Sequence, residues 1–111
     1  MIREKRILLK NSGVIDPFSI DDYIDAGGYR ALALALARTP GQVVEEVIAS
    51  GLRGRGGAGF PTGTKKQAAA RNDGKTRRYV VCNADEGEPG TLKDKAITES
   101  NPHLHIDGML I

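Results

Sequence analysis

A glycine-rich segment with flanking cations, GLRGRGGAGFPTGTKK at residues 51–66, is the first place where this sequence could perform chemistry. Six glycines fall between Gly51 and Gly63, and glycine lets successive backbone N–H groups face a ligand without side chains in the way. Such a nest of N–H groups binds anions, and the positive N-terminus of a helix starting near Thr64 would add to it. Cationic side chains would also add to it. They are Arg53, Arg55, Lys65 and Lys66. The segment therefore predicts a phosphate-binding loop.

Two familiar glycine motifs fail when their context is considered. Residues 54–59 match G-x-G-x-x-G, but the dinucleotide fingerprint needs a preceding strand, and VVEEVIAS at 43–50 is predicted to be helical. The P-loop fails because Lys65 comes two residues after Gly63 instead of directly after it. A flexible surface loop stays an alternative. An arginine–glycine segment for RNA is a weaker one, because RGRGG occurs once, between ordered-looking elements.

An acidic segment, CNADEGEPG at residues 82–90, offers complementary chemistry. It follows a predicted buried parallel strand, Tyr79–Ala84, and ligands of open α/β sheets bind beyond the carboxyl ends of strands. Its amide and carboxylate groups could hydrogen-bond a polar ring, although an acidic turn facing water is the alternative. These groups belong to Asn83, Asp85, Glu86 and Glu88. A cationic loop and an acidic loop together predict a site for a nucleotide-like cofactor.

The elements expected to position these loops are two strands and six helices. Strands are predicted at Arg6–Asn11 and Tyr79–Ala84. Helices are predicted at 20–26 with Ser19 as cap and Gly27-Gly28 as stop, at 29–38, at 40–50, at 65–70, at 91–100 and from Asn101 onward. Thr39 and Gln42 form a capping-box pattern around Pro40, and Gly51 should end that helix. Residues 70–78, ARNDGKTRR, are predicted to be a polar loop.

The composition narrows the classes of protein. The 111 residues carry a net charge of +2, which gives no global case for nucleic acid. Cys82 is the one cysteine, so these residues hold no disulfide framework or cysteine-ligated metal site, and we expect it to be a buried small hydrophobe. His103 and His105 lie two apart on a predicted helix, so we interpret them as a helix-start residue and a surface or partner contact. No signal peptide or run of about 20 apolar residues is present, which favours a cytoplasmic chain, free or peripheral on a membrane complex.

The two loops carry a family resemblance. SGLRGRGGAGFPTGTKK followed by YVVCNADEGEPGTLKD resembles the FMN- and NADH-binding subunit of respiratory complex I. It also resembles the related diaphorase subunits of NAD-linked hydrogenases and formate dehydrogenases. GGYRALALAL upstream and NPHLHIDGMLI downstream fit the same family. The resemblance implies a partial Rossmann-like α/β FMN-binding domain with parallel strands and flanking helices. Residues 1–50 would be its lead-in strand and helices, and residues 51–111 its glycine-rich loop, strand and acidic loop, with the chain cut inside its final helix.

The resemblance also implies roles for individual residues. The loop that wraps the FMN phosphate and flanks the flavin would be Gly54, Arg55, Gly56, Gly57 and Gly59, with Gly63 among the cofactor-binding glycines. Lys65 would approach phosphate and dinucleotide, and Phe60 would stack on the NADH adenine. Asn83, Asp85 and Glu86 would hydrogen-bond the flavin, and Glu88 would lie near the nicotinamide. Lys66 and Ala68 depart from the family, which often has aromatics there. No residue is expected to act as acid, base or nucleophile.

The implied activity is that of an NADH dehydrogenase, in which NADH gives a hydride to FMN and electrons pass singly to iron–sulfur clusters. A 4Fe–4S cluster is expected in the full-length parent but ligated by other residues. The implied partners are NADH and the other subunits of an NADH-oxidising complex, including an iron–sulfur acceptor, without nucleic acid or membrane insertion. The isolated 111 residues are expected to be inactive. The alternatives are a truncated non-catalytic fragment and a basic RNA-binding module.

Overall fold

The computed structural model describes residues 3–71, 74 and 77–111. The chain divides into two compact units. The first unit contains the residues up to Ala33 together with Val81–Ile111, and the second unit contains Leu34–Val80. Within the described residues the helices are α1 (Ile20–Asp25), α2 (Arg30–Leu36), α3 (Pro40–Ala49), α4 (Thr62–Ala70), α5 (Lys93–Ser100) and α6 (Pro102–Leu110). None of the helices in these ranges is long and apolar enough to cross a membrane.

Local capping sets the start and end of α1, as the sequence predicts. The Ser19 hydroxyl accepts a hydrogen bond from the N–H of Asp22 at 3.1 Å and donates one to the Asp22 carboxylate at 2.9 Å. The N–H of Asp16 donates to the same carboxylate at 3.0 Å. These bonds, first that from Asp16 and then that from Ser19, lower the pKa of Asp22. Gly27 ends the helix in the left-handed region at φ 92°, where a glycine is favoured.

Among the described residues of the first unit, a buried polar cluster takes the place of a large apolar core. Tyr23 is 3% exposed, and its hydroxyl donates to Oδ2 of Asp107 on α6 at 2.9 Å. The backbone N–H of Tyr29 donates to the same oxygen at 2.9 Å. The Tyr29 hydroxyl lies 2.9 Å from Nδ1 of His103, whose ring stacks on that of Tyr23. Burial and then the bond to Asp107 raise the pKa of Tyr23 to about 12.

The second unit pairs α3 with α4. The predicted capping box is confirmed: the Thr39 side chain accepts from the N–H of Gln42, and the Gln42 side chain accepts from the N–H of Thr39 at 2.9 Å. Pro40 occupies the first helical position, where its missing N–H costs nothing. Gly63 of α4 is buried against Ile48 of α3, and a Cβ there would lie 2.7 Å from the Ile48 Cα. The close approach of the two helices therefore needs a glycine at 63.

The predicted strand at Arg6–Asn11 is wrong. These residues form turns, in which the N–H of Ser12 donates to the carbonyl of Leu9 at 3.1 Å and that of Val14 to Asn11 at 3.0 Å. A strand needs a neighbouring backbone to accept and donate its ladder bonds, and here the carbonyls are used locally.

The predicted strand at Tyr79–Ala84 is also wrong. It has no regular structure, and Val81 is 81% exposed. Across the described ranges the β pairing consists of one isolated antiparallel bridge, Arg53–Pro61. Without a partner strand, an apolar run of this kind gains no ladder hydrogen bonds. The parallel strands of the predicted Rossmann-like α/β fold are therefore not confirmed.

The other predicted helices form with shifted starts. The helix predicted over 65–70 begins at Thr62, and that predicted over 91–100 begins at Lys93. The helix predicted from Asn101 is α6, which Asn101 caps by accepting from the N–H of Leu104 at 3.2 Å. In the predicted polar loop at 70–78, residues 72, 73, 75 and 76 lie outside the described residues.

Cys82 is exposed, so the prediction that it is buried is wrong. Its sulfur lies 2.9 Å from Nε2 of His105 on α6. The cause is the missing strand: without a sheet around it, the segment that carries Cys82 has no core to enter. In the parts of the chain that the structure describes, no group of three metal-ligating side chains comes together.

Candidate functional site

The glycine-rich loop has a closed base. The N–H of Gly54 donates to the carbonyl of Phe60 at 2.9 Å, and the N–H of Thr62 donates to the carbonyl of Leu52 at 2.9 Å. These two bonds surround the bridge between Arg53 and Pro61. Residues 52–54 and 60–62 are therefore held side by side, and the residues between them form a compact loop directly before α4.

Arg53 supports this loop from within. Its Nη1 donates to the carbonyl of Gly59 at 3.1 Å. The sequence suggested Arg53 as a general source of positive charge, and the structure shows that it also closes the loop. A six-residue separation between an arginine and a backbone carbonyl carries no sequence signal, so this role could not be found without coordinates.

The tip of the loop is open to solvent. Gly54, Arg55, Gly56 and Gly57 are exposed. Gly57 and Gly59 have φ of 125° and 61°, which are strained for residues with a side chain. A Cβ built on Gly56, Gly57 or Gly59 meets no atom within 4 Å. The backbone of the tip is thus free of side-chain cover, as a loop that receives a ligand on its N–H groups requires.

The loop leads into the positive end of α4. The N-cap position is Pro61, whose side chain makes no capping hydrogen bond, so the dipole of α4 is uncompensated by a side chain there. Lys65 is exposed in the first turn and Lys66 follows it, half-buried. Phe60 is 49% exposed beside the same helix start. Positive charge, open backbone and an accessible aromatic ring therefore occur within one short segment.

The acidic loop is fixed to α5 by Glu86. Oε1 of Glu86 accepts from the N–H of Asp94 at 2.7 Å, and Oε2 accepts from the N–H of Lys95 at 3.0 Å. The Glu86 side chain is 9% exposed. Leu92, at the N-cap position, makes no side-chain cap, so Glu86 caps the helix from six residues earlier.

The other acidic-loop residues remain more accessible. Oδ1 of Asn83 accepts from the N–H of Asp85 at 3.2 Å, which orders the turn, and Asp85 and Glu88 are exposed. Nζ of Lys93 lies 2.8 Å from Oδ1 of Asp94. That hydrogen bond is the largest influence that raises the pKa of Lys93, and the negative charges nearby add to it.

The residues of each predicted half of the site lie within one unit. The residues from Gly54 to Lys65 lie together in the second unit, and those from Asn83 to Glu88 lie together in the first. That both halves hold one cofactor stays a prediction. Gly63 is the site residue whose surroundings differ most from expectation, because it lies in α4 and is buried against Ile48 of α3. Lys93, beside Glu86 at 4.0 Å, is a neighbour of the acidic loop that sequence reasoning missed.

A family model and individual relatives both match this chain, and they indicate the same family. Residues 47–111 match the family model of the Nuo51 FMN-binding domain. An NADH-quinone oxidoreductase subunit of Aquifex aeolicus is 51% identical over 105 residues, 95% of this chain and 24% of the relative. The NADP-reducing hydrogenase subunit HndC of Solidesulfovibrio fructosivorans is 51% identical over 109 residues, 98% of this chain and 22% of the relative.

The corresponding NADH-quinone oxidoreductase subunit of Escherichia coli is 45% identical over 96 residues, 86% of this chain and 22% of the relative. The chain thus spans about a quarter of the length of these curated relatives. Of the three kinds of relative that the resemblance named, an NADH-quinone oxidoreductase subunit and a hydrogenase subunit are found here, each at 51% identity, and the hydrogenase is named as NADP-reducing. Since the family model covers more than half of the residues, including both candidate loops, the chain belongs to the Nuo51 FMN-binding domain family.

Proposed function

We propose that these residues form the FMN phosphate-binding loop and part of the flavin-binding wall of an NADH-oxidising flavoprotein. The observation that carries the proposal is the closed glycine loop, with its bare tip and positive-φ glycines, which leads directly into the N-terminus of α4, where no side chain forms a cap. It occurs in a chain of an FMN-binding domain family. We refer below to a protein of the relatives' length that contains these residues as the full-length flavoprotein.

The residues of the loop suit a phosphate. The open space above Gly56, Gly57 and Gly59 lets a phosphate approach the backbone, and any Cβ there would occupy that space. Lys65 and Arg55 supply charge-assisted hydrogen bonds, and the α4 dipole favours a doubly negative group. Arg53 keeps the loop in shape through Gly59 and is not itself needed as a ligand.

The residues of the acidic loop suit the polar edge of the flavin ring. Asn83 and Asp85 present amide and carboxylate groups, and Glu88 lies exposed further along. In this proposal Phe60 stacks on the adenine of NADH and Glu88 approaches the nicotinamide. FMN, when bound, supplies the hydride acceptor and releases electrons one at a time. The protein residues bind and orient and carry out no acid–base step.

The proposal extends to the whole protein. The 111 residues would be the N-terminal part of a Rossmann-like domain, with residues 1–50 leading in and residues 51–111 carrying both loops. Further strands and a 4Fe–4S cluster would come from other segments of the full-length flavoprotein. Its partners would be the subunits of a multi-subunit complex, including an iron–sulfur acceptor, on the cytoplasmic side. The names of the relatives, NADH-quinone oxidoreductase and NADP-reducing hydrogenase subunits, support this context.

The test is a pair of matched lysine variants in the full-length flavoprotein. Lys65→Ala should weaken FMN and NADH binding by about 10- to 100-fold, since one charged contact is worth roughly 1.5–3 kcal/mol. Lys95→Ala is the control: Lys95 is also exposed and helical, but its ammonium lies 3.8 Å from Glu99 on α5. FMN affinity is measured by quenching of flavin fluorescence, and NADH oxidation with ferricyanide.

Equal FMN affinities for wild type and Lys65→Ala would remove Lys65 from the phosphate site. Absence of FMN binding to the wild-type flavoprotein would overturn the proposed function as a whole. RNA binding that weakens steeply with salt, without FMN binding, would favour the alternative RNA-binding module.

A further inference from the structure

Glu86 differs from its acidic neighbours in having both carboxylate oxygens engaged. Oε1 and Oε2 accept from two consecutive backbone N–H groups of α5, at 2.7 and 3.0 Å. With 9% of its side chain exposed, this carboxylate is the most enclosed of the acidic loop's carboxylates. Its oxygens are directed toward a helix terminus, where negative charge is favoured by the helix dipole.

The backbone of Glu86 is also unusual. Its φ is 44°, in the left-handed region that residues with a Cβ rarely adopt. Such a conformation persists only where the surroundings impose it. The two bonds to α5 provide that constraint, because they fix the side chain of the same residue whose backbone turns. The direction of the chain on either side of Glu86 therefore depends on them.

The turn at Glu86 lies next to Asn83 and Asp85, the residues proposed to hydrogen-bond the flavin ring. Asp85 immediately precedes it, and the N–H of Asp85 is bound to Oδ1 of Asn83 at 3.2 Å. A Cβ at Gly87 would lie 2.9 Å from Oδ2 of Asp85, so the loop is also tight on the following side. Asn83, Asp85 and Glu86 thus form one locally bonded segment, which is anchored to α5 through Glu86.

We infer that Glu86 is a positioning residue: its carboxylate clamps the acidic loop to the N-terminus of α5 and thereby sets where Asn83 and Asp85 lie against the flavin. The inference rests on the proposed function, because it concerns the same flavin wall. It assigns Glu86 a contact with the protein instead of a direct hydrogen bond to the ring. Nζ of Lys93 lies 4.0 Å from Oε1 of Glu86.

The experiment compares three variants of the full-length flavoprotein. Glu86→Ala removes both acceptors. It should weaken FMN binding about 10-fold, alter the visible absorption spectrum of the bound flavin at saturating FMN, and speed exchange of the Asp94 and Lys95 amides at least 10-fold. Glu86→Gln keeps one acceptor oxygen but turns an NH2 group toward the second N–H, so it should recover only part of the FMN affinity and of the wild-type flavin spectrum, and should protect one of the two amides. Glu99→Ala, an exposed glutamate on α5, is the control and should match wild type in all three measurements.

Two results would overturn the inference while leaving the proposed function intact. If Glu86→Ala lowers only the melting temperature, with wild-type FMN affinity and spectrum, Glu86 is purely a helix cap. If Glu86→Gln is as impaired as Glu86→Ala while the α5 amides stay protected from exchange, the carboxylate acts directly on the flavin by its charge. Failure of the proposed function would look different, because the wild-type flavoprotein itself would then bind no FMN.

Discussion

Replacement of Asp107 by alanine should lower the free energy of unfolding of the chain by about 2–3 kcal/mol. Oδ2 of Asp107 accepts two hydrogen bonds, from the Tyr23 hydroxyl and the Tyr29 N–H, both at 2.9 Å. Asp107 is 7% exposed, so water cannot easily replace the lost acceptor. The two donors would be left without their partner, and each such loss costs about 1–3 kcal/mol.

We expect a loss in the lower part of the range that two such costs allow, because the burial of the Asp107 carboxylate is itself unfavourable. Its Oδ1 is buried and has no hydrogen-bond partner among the described residues, and alanine removes that burden. The loss should fall on the first unit, where the oxygen joins α1 and the turn after it to α6. Asp107→Asn keeps an acceptor oxygen and should lose less than Asp107→Ala.

The measurement is urea unfolding of the chain followed by far-ultraviolet circular dichroism. Asp25→Ala is the matched control: this aspartate ends α1, is exposed, and should change the free energy of unfolding by less than about 0.5 kcal/mol. If Asp107→Ala shifts the unfolding midpoint no more than Asp25→Ala does, the buried cluster does not hold the first unit together. That result would refute the reasoning.

Three further predictions concern other parts of the chain. Because the pKa of Tyr23 is raised from 10.0 to about 12, its neutral form stabilises the fold fully below pH 10, and this contribution should be lost between pH 10 and 12. Tyr23→Phe should therefore flatten the pH dependence of urea unfolding in that window. An unchanged profile would contradict the raised pKa of Tyr23. Gly63→Ala should lower the free energy of unfolding by about 1–3 kcal/mol, because its Cβ would meet the Ile48 backbone at 2.7 Å. Gly41→Ala is the control and should cause no such loss, since the nearest atom to its Cβ is 3.9 Å away. Equal losses for the two variants would show that α3 and α4 do not approach this closely. Cys82 is exposed, so its thiol should react with a disulfide reagent in the native chain at a rate within about 10-fold of that in urea, and strong protection would mean that it is buried.

Local chemistry explains what could be predicted. The capping box of Thr39 and Gln42 and the Ser19 cap depend on residues three apart in sequence, so their types and spacing suffice to place α1 and α3. The glycine loop is predictable for a similar reason, because glycine density reveals a backbone that must be free of side chains. The family was predicted from the resemblance of the two loop motifs to known proteins, and the match over residues 47–111 confirms it.

The features that could not be predicted from the sequence depend on contacts outside the local residue pattern. The short apolar runs at Arg6–Asn11 and Tyr79–Ala84 predicted strands. A strand exists only when another backbone supplies ladder partners, and these residues have none in the described structure. The role of Asp107 likewise depends on Tyr23, 84 residues away. Glu86 combines a feature that the sequence predicts with one that only the structure decides. Its sequence position marks an acidic loop, but whether its oxygens face a ligand or the amides of α5 is a question of three-dimensional direction. That direction is set by a left-handed backbone and two hydrogen bonds that no residue pattern encodes.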